Sequence, residues 1–237
     1  MSDAPVTSIV QIDAWRESAS ESQQLEFKEA RSQFEMSRLR EYCVALANEG
    51  GGLRELIANA LIHQDLDVSG ATVMVEIYTD PIEISNPGQP GVQPERFIDE
   101  YRCRNEPLAD LMRRFGICEE KGSGIDKVVQ AVEEQHMPAP EFRVDSVRTT
   151  CVLHGARAFA DMSRDDRVRA CYQHCCLRYV SNEPMTNRSL RERFGLAEHQ
   201  SAVASHVITA TQAAALIKPD GALTSSKRYA RYVPFWA

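Results

Sequence analysis

The chain has 237 residues, 43% of them hydrophobic and 26% charged, with a net charge of −7, long enough for one large domain or two small ones with cores of their own. No apolar run approaches the ~20 residues of a bilayer crossing, and the opening Met-Ser-Asp-Ala-Pro lacks a basic region ahead of an apolar stretch, so a cytoplasmic protein with no membrane partner is expected. Seven cysteines without framework-like spacing fit reduced thiols rather than a disulfide scaffold.

The first 20 residues are weakly patterned, with a short helix expected over 9–18. Residues 25–29 read as the entry to a strand, and 36–48 as a helix with Leu39, Cys43, Val44, Leu46 and Ala47 apolar, stopped by Glu49-Gly50-Gly51-Gly52. Residues 53–65 form the next helix. Glu55 and Asn59 lie four apart on it and share one face, with His63 a turn further along. Alternation over 72–85, broken at Asp80-Pro81, predicts a hairpin, and three prolines and two glycines make 86–94 a loop. Short helices follow over 95–101 and 106–115, then a longer one over 124–135 with Ile125, Val128, Val129 and Val132 inward, then strands at 142–144 and 149–153.

From residue 161 the pattern changes to three helices and a strand. Helix 164–180 comes first. Thr186 reads as the N-cap of helix 187–194, with Met185 and Leu190 as a hydrophobic staple and Gly195 as the stop. Helix 201–216 places Val203, Val207 and Ala214 inward, Pro219-Asp220-Gly221 turns the chain, and 227–233 is a basic strand.

Three segments carry the candidate chemistry: Arg54-Glu55-Leu56-Ile57-Ala58-Asn59-Ala60, Ile84-Ser85-Asn86-Pro87-Gly88 and Lys121-Gly122-Ser123-Gly124-Ile125. An acid and an amide on one helix stripe suit water activation and magnesium coordination, and a Gly-x-Gly before a helix can cradle phosphate oxygens with backbone amides. In this order the segments resemble the GHKL (Bergerat-type) ATP-binding fold, in the form that genome annotation often calls helicase-related. The resemblance implies Glu55 as general base, Asn59 as the magnesium ligand, and Asn86, Gly88, Gly122 and Gly124 as further nucleotide contacts, with ATP and Mg as cofactors. The family usually has an Asp in the second segment to accept the adenine amino group; the neutral Asn86 here weakens adenine selection.

Ahead of this stretch, residues 21–52 resemble the opening of the AlbA-type domain of Schlafen-related proteins, whose helix ending in Ala-Asn-x-Gly-Gly leads into a buried strand. That strand is absent here, and Leu53 begins the next helix instead, which suggests an internal deletion. Glu21, Glu26 and Lys28 resemble the Glu-x4-Glu-x-Lys arrangement of Schlafen-type nucleases, but without the missing strand two acids have no scaffold to hold metal, and nuclease activity is not expected.

Charge is divided unevenly. From Arg157 onward there are 12 Lys/Arg against 7 Asp/Glu, a net +5, while residues 1–156 hold 15 against 27, a net −12. Helix, helix, helix and basic strand resemble a winged helix-turn-helix, which implies double-stranded DNA as partner: Arg188, Arg191 and Arg193 on its second helix, Ser201, Ser205 and His206 on its third, and Lys227, Arg228 and Arg231 on the wing. Cys171, His174, Cys175 and Cys176 point in different directions on one helix and are read as core packing rather than zinc ligands.

The expected fold is therefore α+β: a truncated AlbA-like fragment (1–52), a GHKL-like domain of helices on a mixed sheet (53–156) and a winged helix (157–237). The expected function is a nucleotide-binding, DNA-binding transcriptional regulator, commonly a homo-oligomer. A divergent, weak ATPase and an interaction scaffold with a vestigial pocket remain the alternatives.

Overall fold

A computed structural model of the chain describes residues 52–114, 124–221 and 230–237. The expected elements within 1–51, the glycine Gly122 and the basic pair Lys227 and Arg228 lie outside the described residues.

Four strands form one sheet in the order β1-β2-β4-β3: β1 (Met74–Ile77), β2 (Ile82–Pro87), β3 (Glu141–Val144) and β4 (Arg148–Leu153). Every pairing among them is antiparallel, which corrects the expected mixed sheet. The described elements nonetheless make an α+β fold. The strand period of two decides which face is buried: Ile82 opposite Leu153 and Ile84 opposite Cys151 put four apolar side chains on one side. Helix α1 (Gly52–His63) and helix α3 (Gly124–Glu134) cover that side, with Leu56, Ala60, Val128 and Val132 completing the cluster. Helix α2 (Glu106–Arg114) packs against α1 through Ala109 and Met112. The helix expected over 95–101 is only a single 3-10 turn, Pro94–Arg96.

Helix α3 belongs to two cores. Val128 and Val132 face the sheet, while Val129, with no exposed surface, joins the second cluster formed by the C-terminal helices. The helix ends where His136 takes a positive φ of 53° and the Met137 amide donates back to the Val132 carbonyl at 2.8 Å.

The C-terminal part is built on α4 (Arg164–Val180), in which every residue from Ala170 to Cys176 is buried. Ser163 caps it: its hydroxyl accepts from the Asp166 amide at 3.0 Å while the Asp166 carboxylate accepts from the Ser163 amide at 3.1 Å. Burial pushes the Asp166 carboxyl up, but the Ser163 hydrogen bonds and the Arg169 charge outweigh it and hold it below its ordinary range. Thr186 caps α5 (Asn187–Arg193), Met185 and Leu190 are both fully buried in the same cluster, and Gly195 follows at a φ of 63°. Helix α6 (Ser201–Ala213) stops short of the expected residue 216 because Ala215 turns to a φ of 57°. A two-stranded sheet then pairs β5 (Ile217–Pro219) with β6 (Tyr232–Pro234). Only its second strand overlaps the expected 227–233.

Candidate functional site

Helix α1 buries Leu56 and Ala60 on the sheet, so the adjoining stripe of Glu55, Asn59 and His63 faces along the sheet surface into a cleft of about 130 Å³. Asn86 enters the same cleft from β2, next to Thr149, its register partner on β4. From the other side comes Gly124, the first residue of α3. A Cβ added there would stand 2.5 Å from Glu55 Oε1, 2.8 Å from Glu55 Cγ and 3.0 Å from Asn59 Nδ2, so any side chain at this position must displace Glu55 and Asn59. The first and third sequence segments thus meet in space, 65 residues apart in the chain, because α1 and α3 lie side by side on one face of the sheet.

Electrostatics at the cleft follow from burial. Glu55 is only 8% exposed, and desolvation raises its carboxyl above the ordinary range although the Lys127 and Arg54 charges pull the other way. A carboxylate raised toward neutrality is a better proton acceptor at physiological pH than a solvated one. His63 is moved down by burial and then by the Arg104 charge, which favours the neutral imidazole. Its ring meets Tyr101 edge-on with centroids 6.1 Å apart, and burial together with a Cys103 hydrogen bond pushes the Tyr101 phenol up to about 12.

Gly88 does not line this cleft. It sits at a φ of 98°, where its missing side chain makes space for Arg104: a Cβ would fall 2.2 Å from the Arg104 guanidinium and 2.7 Å from Asp65 Cβ. Arg104 in turn bonds the Gln89 carbonyl at 2.5 Å and pairs with Asp65 at 3.0 Å, while Asn105 Nδ2 donates to the Ile62 and Gln64 carbonyls, both at 2.8 Å. Arg104 and Asn105 therefore close the C-terminal end of α1, whose last carbonyls lack helical partners, and tie it to the loop after β2. The sequence gives no signal for Arg104, nor for the cleft residues Tyr101, Arg102 and Arg113; single polar residues in a loop or on an exposed helix face carry no periodic signal.

The donor set decides which ion the cleft could hold. Asn59 offers a hard amide oxygen and Glu55 a carboxylate, and the cradle at Gly124 keeps both reachable. Among the described residues no three His, Cys, Asp or Glu gather as a metal cage; one amide and one carboxylate are hard oxygen donors, compatible with an ion that takes further ligands from phosphate and water, as magnesium does.

The C-terminal candidates separate. Ser201, Ser205 and His206 are exposed on α6, and Asn187 Nδ2 joins α5 to them through the Ser201 carbonyl at 2.8 Å and Ser205 Oγ at 2.9 Å. Arg188 is exposed and paired with Glu192 at 2.8 Å, Arg191 is half-buried with Nε on Asn187 Oδ1 at 3.2 Å, and Arg231 is exposed. Arg193 is the correction: its side chain is 1% exposed and turned inward, with Nη2 donating to the Met137 carbonyl at 2.6 Å and Nε 3.5 Å from Glu133 Oε1. The cysteines of α4 pack in the core, where burial raises Cys171 and Cys176 to about 12 and Cys175 still further. His174 bridges Glu133 at 2.9 Å and Ser189 at 3.1 Å.

Comparison with known proteins bears on the sheet. Residues 70–153 match the family model described as "Putative ATP-dependent DNA helicase recG C-terminal", which supports a helicase-related, ATPase-type nucleotide-binding fold for this stretch. The match spans all four strands of the sheet, α2 and α3, and includes Asn86 and Gly124 but not Glu55 or Asn59. Among solved structures, the chain is similar to the crystal structure of the DIP2311 protein from Corynebacterium diphtheriae, at 18% identity and a TM-score of 0.45, over 77% of this chain and 40% of that one. This chain thus spans less than half the length of that protein. No curated protein matches the chain. Among the described residues no helix is long and apolar enough to cross a membrane.

Proposed function

We propose that the chain is a regulatory protein of the GHKL type whose cleft binds Mg-ATP and whose C-terminal part is a winged helix that binds double-stranded DNA. The observation that carries the nucleotide reading is the close approach of Gly124 to Glu55 and Asn59 at a cleft that Asn86 also lines. Asn59 would hold the magnesium, whose role when bound is to neutralise the phosphate charge. Glu55, raised by burial, would take a proton from an attacking water, so any turnover depends on it. Asn86, a neutral amide whose Nδ2 is spent on the Pro87 carbonyl at 3.2 Å, would select adenine less strictly than a carboxylate. Thermal unfolding with and without Mg-ATP tests the reading: at a hundredfold excess over Kd the fold gains about 2.7 kcal/mol, and no shift at millimolar Mg-ATP rejects it. Asn59→Ala should weaken binding in a magnesium-dependent way, while Glu55→Ala spares binding and removes phosphate release.

The DNA reading is supported by the order α4-α5-α6-β5-β6, by the exposed polar face of α6 and by the net +5 of the tail. Dimers on two half-sites would multiply a weak single contact. A specific observation favours a second reading, that the C-terminal part contacts protein: α6 carries no Lys or Arg, Arg193 is buried and Arg188 is engaged by Glu192. Fluorescence anisotropy with duplex DNA at low salt separates them, since no binding there leaves only the second.

A further inference from the structure

Two arginines that none of the three sequence segments marks line the cleft. Arg102 reaches it from the segment before α2, its stem lying along Gly91, where a Cβ would stand 3.0 Å from Arg102 Cδ. Its guanidinium has no hydrogen bond or ion pair among the described residues. Arg113 enters the same cleft from α2 with its side chain 22% exposed. One edge of its guanidinium is held by Asp110 and another touches Tyr101, which uses only part of its five N–H donors. Two carboxylates also line the cleft: Glu100, which lies 3.9 Å from Arg96, and Glu55, which sits with Asn59 against Gly124. Apolar side chains line the cleft as well: Leu56, Ile84, Phe97 and Phe142, the two phenyl rings meeting edge-on at 5.0 Å.

We infer that Arg102 and Arg113 form the anion subsite of the cleft and receive the phosphate chain of a nucleoside polyphosphate, leaving the apolar lining and Asn86 to the base. The inference rests on the nucleotide reading above and adds to it the residues that set phosphate dependence. Guanidinium groups suit the task because they stay charged at all physiological pH values and offer paired donors that match phosphate oxygens. Affinity should therefore rise with phosphate number, and the rise should reside in these two side chains.

Calorimetric titration of the full chain with adenosine, AMP, ADP and ATP, each with magnesium, tests this. Wild type should bind ATP at least about tenfold more tightly than adenosine, as charge-assisted contacts require. The double variant R102A/R113A should lose most of that gap while its adenosine affinity stays within about threefold, and R102K should keep part of it. Arg113 is partly packed, so R113Q with a matching thermal melt separates loss of charge from loss of fold. If wild type binds ATP and the double variant keeps the same ATP-to-adenosine ratio, the subsite is wrong and the nucleotide reading stands; equal affinity of wild type for ATP and adenosine likewise overturns the subsite alone. If wild type binds none of the four, both fall.

Discussion

At the scale of single residues, close approach and burial fix what each group can do. Gly124 is the clearest case. Gly124 is the first residue of α3, outside the interior positions where helices favour alanine, and overpacking costs about 1–3 kcal/mol, so Gly124→Ala should destabilise the fold by about 1–3 kcal/mol. The added methyl must also displace Glu55 and Asn59, and nucleotide affinity should fall by about tenfold or more, the value of one hydrogen bond to a charged group. Urea unfolding and ATP titration on the same preparation check both halves; unchanged affinity would show that the two side chains do not bind ligand together. Asp126, in the first turn of α3, offers a pH test. Burial, reinforced by the Asp99 charge, pushes its carboxyl up to about 6, and its Oδ1 has no hydrogen-bond partner. A carboxyl raised on folding favours the folded state while protonated, so its contribution is full below about pH 4 and is lost as pH rises through about 6. Asp126→Asn should gain stability on wild type across that window, with a constant gap above it; urea midpoints between pH 4 and 7.5 that run parallel for the two proteins would refute this.

At the scale of elements, α3 is the part that holds the molecule together. Its start closes the cleft through Gly124, its two apolar sides join both cores, and its end presents Glu133 to the C-terminal helices. Glu133 holds His174 of α4 at 2.9 Å and faces Arg193 of α5 at 3.5 Å, the latter a charge pairing without hydrogen-bond geometry. A buried pair of this kind adds little net stability, but removing one partner strands the other. Arg193→Ala should therefore destabilise by about 3–5 kcal/mol. Replacing Glu133 and Arg193 together with Gln and Met should cost much less than the sum of the single changes, and a double-mutant cycle in urea reads the difference. Additive losses would mean that the two side chains act independently.

At the scale of the whole molecule, the charge division between an acidic body and a basic tail matters only if the tail's cations face outward. Cations that neutralise DNA phosphates release counterions, so replacing Lys227, Arg228 and Arg231 with alanine should flatten the logarithmic salt dependence of DNA binding by about 0.9 for each phosphate left unneutralised. Arg193, buried, should leave that slope unchanged when it is replaced together with its partner, as in Glu133→Gln/Arg193→Met. Anisotropy at several salt concentrations distinguishes the two, and a slope that responds to Glu133→Gln/Arg193→Met but not to the triple change would rule out the wing as the DNA-binding surface. Replacing Ser205 or His206 should alter sequence preference more than salt response.

Local order was legible in the chain itself. The stripe of Glu55, Asn59 and His63, the hairpin around Asp80-Pro81, the inward valines of α3 and the caps at Thr186 and Gly195 follow from side-chain period and backbone propensity, which act over a few residues and survive any packing. Sheet direction, the short β5 and the partners of Gly88, Arg104 and Arg193 were decided by tertiary structure. Antiparallel pairing depends on which strands the connections bring together, and a three-residue strand such as Ile217–Pro219 is a strand only because β6 pairs with it. Gly88 is a nucleotide contact only by the resemblance of its segment to the GHKL fold; a resemblance carries no information on which neighbour fills the space, and the fold assigns it to Arg104. Likewise Arg193 lies on a short polar helix, and its inward partners, the Met137 carbonyl and Glu133, come from 56 and 60 residues earlier in the chain. Periodicity reports which face of an element is buried, but the identity of the neighbour is set by chain segments distant in sequence.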